Sequence, residues 1–361
     1  LRASSAPAGT LVLDEVHKST GNFKSITYKQ VQKLLEAAPD SPLLAMSATF
    51  ASDLEGLRML SPRLGLVGVK CAFDSFDQLK QGLRRHGETG LEMVTAHLSQ
   101  QGLFIARSIS YHGTSAEHVD CTMTAKDEAM YEECAQLYAD ILATGLYDDG
   151  NAKAYYCGSA VRFFKALTLR CKLPDVTALI KREVAQGRQV VVSVLGTAES
   201  AQNRASDEDV EESGGVSALR DEVLALIAYG RRDASSEPAS LDPLDPLVAR
   251  AKELDVGRCG VLDLLKESVK RFGVAELTGR KKELCYEQER GVWEQRGVER
   301  DLVKARAQFQ SGEKRVAIVS AAAATGISLH DTGDAHNESR PRTMVLFELP
   351  WSATQSLQLL G

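Results

Sequence analysis

Short apolar runs alternating with segments of helical period constrain this chain more than any other feature. Leu11-Val12-Leu13 reads as a buried strand that ends on two acids, and Val31, Leu34, Leu35 and Ala38 follow at helical spacing. Leu43-Leu44-Ala45-Met46 reads as the next buried strand, ending in Ser47-Ala48-Thr49. The pattern then returns. Val176, Leu179, Ile180 and Val184 share one helix face, Gly187 stops that helix, and Val190 to Leu195 form a core strand. Val316 to Val319 and Met344 to Phe347 are two more. This order predicts an α/β fold with parallel sheets, organised as two units.

With 361 residues, 43% hydrophobic and 25% charged, two globular domains are expected. The first occupies 1–110, a helical bridge occupies 111–170, and the second domain occupies 171–361. Within the bridge, His118 to Met123 alternates like a strand, and Lys126 to Leu142 has helical period. Two polar insertions near 201–217 and 231–247 interrupt the second domain. One is acidic and ends in Gly214-Gly215, and the other is rich in Ser, Asp and Pro, so both read as surface loops. A net charge of -6 rules out a globally basic coat for nucleic acid, though not a local basic groove. No apolar run approaches the ~18–20 residues of a membrane helix, so no membrane partner is expected. The seven cysteines form no Cys-x-x-Cys pair, which argues against zinc and fits a reducing compartment. The start at Leu1, without an initiator Met, reads as a chain entered in mid-sequence.

Two constellations carry chemistry. Asp14-Glu15-Val16-His17 closes the first strand. Phosphoryl transfer from a nucleotide needs a metal ion near the phosphates and an oriented water. An Asp on a strand tip can hold the ion through its water shell, and the adjacent Glu can take the proton from water. Ser47-Ala48-Thr49 closes the next strand, after one helix. In a parallel sheet the two tips are neighbours on the edge where open α/β sheets bind ligands. A hydroxyl of Ser47 or Thr49 would then lie within hydrogen-bonding reach of the acidic pair or of His17. Other polar residues read as ordinary. His86, His97, His112 and His118 show no ligand spacing, Trp293 and Trp351 read as packing residues, and Arg84-Arg85 and Arg280-Lys281-Lys282 are small basic clusters.

Together these constellations resemble motifs II and III of superfamily 2 helicases. Ser320 to Leu329 resembles motif V, and Gln358-Leu359-Leu360-Gly361 resembles the opening of motif VI. The resemblance narrows to the strawberry notch family of helicase-like proteins. Its carriers are Leu64-Gly65-Leu66, Gly90 to Val94, Gly102 to Arg107, Val274 to Arg280, Gly326 to Leu329 and Glu348 to Ser352, in order along the chain. Val16 departs from the small residue or Cys expected within motif II.

The resemblance implies two RecA-like parallel-sheet domains of a P-loop NTPase, the first truncated at its N-terminus. It implies ATP and Mg²⁺ as cofactors, with Asp14 holding the metal and Glu15 activating water. His17, Ser47 and Thr49 would couple hydrolysis to domain movement. Gly326 and Ser328 would touch the nucleotide, Gln358 would act on it, and Ser320 and Thr325 would touch nucleic acid. It also implies transcription or chromatin factors as partners and the nucleus as location. No Gly-x-x-x-x-Gly-Lys-Ser/Thr occurs in the chain, and the motif VI arginine is missing, so the isolated chain is expected not to hydrolyse ATP. A non-catalytic co-regulator scaffold keeping a vestigial helicase fold is the alternative.

Overall fold

The computed structural model describes residues 9–20, 24–47, 54–69, 71, 73–86, 88–106, 114–148, 150–194, 217–233, 244–257, 259–298, 301–320, 329, 341–350 and 356. The chain divides into two compact units, Leu1–Glu117 and His118–Gly361.

In the first unit, β1 (Leu11–Leu13) pairs in parallel with β2 (Leu43–Ala45), Leu13 opposite Ala45. Between them run the short α1 (His17–Thr20) and α2 (Ile26–Ala37). Ser25 caps α2, its hydroxyl accepting the Tyr28 N–H. Tyr28, Val31 and Leu35 of α2 cover Leu11 and Leu43 of the sheet, together with Met59. The opposite sheet face is open: Val12 is 54% exposed and Leu44 50%. These strands are therefore half-buried, not fully buried as the apolar runs predict, because only α2 covers them among the described residues. A second core joins α3 (Phe76–Arg84) and α4 (Glu88–Gln100) through Phe76, Leu79, Leu83, Val94 and Leu98.

In the second unit, α5 (Ala125–Ala143) matches the helical period from Lys126 and starts at a reciprocal cap between Thr124 and Asp127. The alternating run His118–Met123 forms no strand, having no partner strand among the described residues. α6 (Gly150–Ala185) is one 36-residue helix with Pro174 inside it, and it passes through position 170. Its first half packs Phe163 and Leu167 with α5, α7 (Ala218–Asp233) and α8 (Asp245–Glu253). Its second half packs Val176 and Ile180 under the main sheet with α9 (Val261–Val269).

That sheet is parallel throughout, in the order β4 (Val274–Leu277), β7 (Val316–Ser320), β3 (Gln189–Val194), β8 (Arg342–Leu346). All six residues of β3 and all five of β7 are buried, as expected for strands covered on both faces. One face meets α6 and α9, and the other meets α10 (Leu302–Gln310) through Ala305 and Phe309. An antiparallel hairpin, β5 (Lys282–Glu287) with β6 (Val292–Gly297), follows β4. Among the described residues, no helix is long and apolar enough to cross a membrane. Parallel strands with connecting helices are the architecture of RecA-like domains, and the fold is of that class.

Candidate functional site

The carboxyl ends of β1 and β2 are knitted beyond their ladder. Met46 N–H donates to Leu13 O at 2.8 Å, and Val16 N–H donates to Met46 O at 3.0 Å. This fixes the Asp14-Glu15 turn at the strand tip. Asp14 is exposed, and its Oδ1 accepts the Glu15 N–H at 2.9 Å. Glu15 has a φ of 49°, a left-handed backbone that side chains with a Cβ rarely adopt. Val16 is 3% exposed and anchors the turn, its carbonyl accepting the hydroxyls of Ser19 and Thr20 at 2.9 and 3.1 Å.

His17 leaves this turn toward the neighbouring strand. Its Nδ1 lies 2.7 Å from Ser47 Oγ, thirty residues away in sequence. Glu15 Oε2 lies 3.2 Å from the same nitrogen, is enclosed, and meets no other polar partner among the described residues. Because a carboxylate only accepts, the Nδ1–H tautomer suits both neighbours. The structure therefore brings Glu15, His17 and Ser47 together, with Asp14 next to them on the outside. Thr49, Thr325, Gly326, Ser328 and Gln358 lie outside the described residues.

In the second unit, Ser320 is the last residue of β7 and pairs with Val194. It is 3% exposed, and its Oγ has no hydrogen-bond partner among the described residues. At the same edge of the sheet, Glu348 follows β8 and pairs with Lys165 of α6 at 3.0 Å.

Beside β4 lies a buried ionic network that reading the sequence missed. Arg280, read there as part of a small basic cluster, has a fully buried side chain. Its Nε and Nη2 hold the two carboxylate oxygens of Glu276 at 2.5 and 2.9 Å, and Nη1 reaches Asp263 of α9. Lys266 of α9 adds a bond to Glu276 at 3.1 Å and another to Glu283 of the hairpin. Burial pushes the Glu276 carboxyl up, but Arg280 and Lys266 pull it down further, to about 2. Burial raises Asp263 more than Arg280 lowers it. The signal was present in the sequence as Glu276 on an otherwise apolar strand with Arg280 four residues further on, past the turn. The network ties β4, α9 and the hairpin into one piece, so the Thr278-Gly279 turn at the end of β4 rests on a rigid base.

Comparison with known proteins agrees with this geometry. Residues 4–133 match a family described as P-loop containing NTP hydrolase pore-1. Residues 260–361 match the C-terminal domain on Strawberry notch homologue. The two matches together support the strawberry notch family. Protein strawberry notch homolog 2 of Mus musculus is 23% identical across 98% of this chain and 34% of its own length. The human homolog 2 is 24% identical over the same shares. Protein FORGETTER 1 of Arabidopsis thaliana is 26% identical across 53% of this chain and 16% of its own length. The chain thus spans about a third of the length of the first two relatives. No solved structure matches it. These matches support a helicase-like protein with a P-loop NTPase domain and a helicase C-terminal domain.

Proposed function

We propose that this chain is part of an ATP-dependent helicase-like protein that couples ATP hydrolysis to remodelling of nucleic acid or chromatin. The observation that carries the reading is the strand-tip cluster: Asp14 outside, Glu15 behind it, and His17 held 2.7 Å from Ser47 on the adjacent strand. Its place at the carboxyl ends of parallel strands is where open α/β sheets take ligands.

The donor set fits Mg²⁺. Asp14 offers an exposed hard oxygen, and no cluster of three or more His, Cys, Asp and Glu forms a preformed cage among the described residues. Mg²⁺ in nucleotide sites keeps waters and substrate phosphates as most of its ligands and needs only one or two carboxylates. Bound there, the ion would neutralise charge on the β- and γ-phosphate oxygens. Glu15 would take the proton of the attacking water, with one carboxylate oxygen fixed against His17. His17 and Ser47, with Thr49, would pass nucleotide state to the second strand. The segment entered from Ser320, with Thr325, Gly326 and Ser328, would touch nucleic-acid phosphate and nucleotide, and Gln358 the nucleotide. The setting in transcription and chromatin, with transcription or chromatin factors as partners and the nucleus as location, rests on the family resemblance.

Glu15→Gln in the full-length protein tests this reading. It keeps the shape and removes the base, so turnover should fall by about 10²–10⁴-fold while ATP binding stays within a few-fold. Turnover at the parent rate would show that Glu15 is not the base. A full-length parent that neither binds nor hydrolyses ATP would leave the scaffold reading in its place.

A further inference from the structure

Helix α3 buries Phe76, Leu79 and Leu83 and turns a polar ridge outward. Asp77, Lys80, Gln81, Arg84 and Arg85 line an open depression of ≈ 470 Å³ along it. Two of these charges are already neutralised, Asp77 by Arg58 at 3.0 Å and Lys80 by Glu55. Arg84 and Arg85 are both exposed, and neither makes an ion pair or side-chain hydrogen bond among the described residues. Many other described arginines are paired instead. Arg162, Arg182, Arg188, Arg231, Arg250, Arg280, Arg290 and Arg296 all meet carboxylates. The background charge also differs between the units. Residues 1–117 carry 12 Lys and Arg against 11 Asp and Glu, whereas residues 118–361 carry 31 against 38.

We propose that the Arg84–Arg85 end of α3 is a contact for the phosphate backbone of a nucleic-acid strand. The inference rests on the nucleic-acid partner of the proposed function and adds a surface outside the strand-tip cluster. A guanidinium presents a planar fork that matches two phosphate oxygens, and two adjacent forks can hold successive phosphates. The lining contains no apolar side chain. A protein partner would need a desolvated aromatic or aliphatic anchor at the centre of its interface, and this depression offers none. The helix dipole favours cations at this end of α3, but it does not account for two unpaired guanidiniums lining one concavity. The ridge is rigidly placed. The start of α4 crosses so close to α3 that a Cβ on Gly90 would sit 2.9 Å from Leu83 O, which fixes the turn carrying Arg84 and Arg85.

The test is equilibrium binding of a fluorescent oligothymidylate to the full chain, without nucleotide, across a salt series. Arg84→Gln/Arg85→Gln is compared with the parent and with Arg290→Gln/Arg296→Gln, which removes the same charge from carboxylate-paired sites. Two lost phosphate contacts should lower the slope of log affinity against log salt by about 1.4. The parent's advantage over the variant should then shrink about 7-fold between ~50 and ~200 mM salt. The hairpin control should keep the parent slope, and Arg84→Lys/Arg85→Lys should recover most of it. An unchanged slope in the Gln pair overturns the proposal, as do an equal loss in the control or no binding by the parent. Tighter binding of an oligoglutamate peptide than of the oligonucleotide also overturns it, by assigning the ridge to acidic proteins. Because no ATP is present, failure here leaves the Glu15 reading standing, and failure of Glu15→Gln leaves this measurement unaffected.

Discussion

Removing the guanidinium of Arg280 should destabilise the second unit more than almost any other single change. Arg280→Met keeps the volume and apolar stem but leaves Asp263 and Glu276, 0% and 4% exposed at their side chains, with Lys266 as the remaining cation. Breaking a buried ion pair from one side costs about 3–5 kcal/mol, because the abandoned charge stays desolvated. In a unit of this size each kcal/mol moves the melting point by about 2–4 °C, so a fall of roughly 6–20 °C is expected. The pH dependence gives a second readout. Glu276 is held at about 2 against an ordinary 4.5, so its contribution is full above pH 4.5 and is lost as pH falls toward 2. Asp263 is raised, so its smaller contribution has the opposite sign, present below its ordinary 3.8 and lost as pH rises through the folded value. In Arg280→Met the stranded carboxylates can relieve their desolvation by protonating. The deficit against the parent should therefore be largest at neutral pH and shrink on acidification. Thermal melts by circular dichroism at pH 7 and pH 4 decide this, and Asp263→Leu added to Arg280→Met should recover part of the loss. A fall of less than about 3 °C at neutral pH, or a deficit that grows in acid, would refute the reasoning.

Two further outcomes follow from close contacts. Ser47→Ala removes the hydroxyl 2.7 Å from His17 Nδ1, a bond worth about 0.5–1.5 kcal/mol, so basal ATP turnover of the full-length protein should stay within a few-fold. Stimulation by nucleic acid should drop, and an unchanged stimulation ratio would leave Ser47 as a turn residue. Gly230→Ala would place a Cβ 2.4 Å from the hydroxyl of Tyr147, which is fully buried and donates to Leu226 O at 2.7 Å. Displacing that ring should cost about 1–3 kcal/mol, read as a lower melting point with intact secondary structure. An unshifted melt would mean the site relaxes freely.

Much of the site was legible because a parallel sheet converts sequence order into neighbourhood. Consecutive parallel strands usually lie side by side, and the β1–β2 pairing brings Ser47 to His17 across thirty residues. Strands β3, β7 and β8 were legible for a related reason, since unbroken apolar runs have few alternatives to a buried parallel strand. What failed was local reading of long-range effects. His118–Met123 alternates correctly but finds no partner strand among the described residues. Pro174 would ordinarily end a helix, yet α6 continues because two separate cores grip it on either side, Phe163 and Leu167 before it and Val176 and Ile180 after it. Arg280 looked like a surface cation because sequence shows charge and not the three carboxylates folded around it.

The left-handed backbone at Glu15 has an evolutionary consequence. Most side chains with a Cβ pay about 1 kcal/mol or more to adopt that conformation, whereas glycine pays nothing and asparagine or aspartate less. The Val16–Met46 hydrogen bond and the buried Val16 side chain impose the turn whatever residue occupies position 15. A lineage released from hydrolysis would gain stability by drifting to Gly or Asn there, and random substitution would supply both. Descendants that keep glutamate do so against the preference of their own main chain. If Glu15 is the catalytic base, Gly or Asn at this turn is expected in relatives that have lost hydrolysis, and Glu in those that keep it.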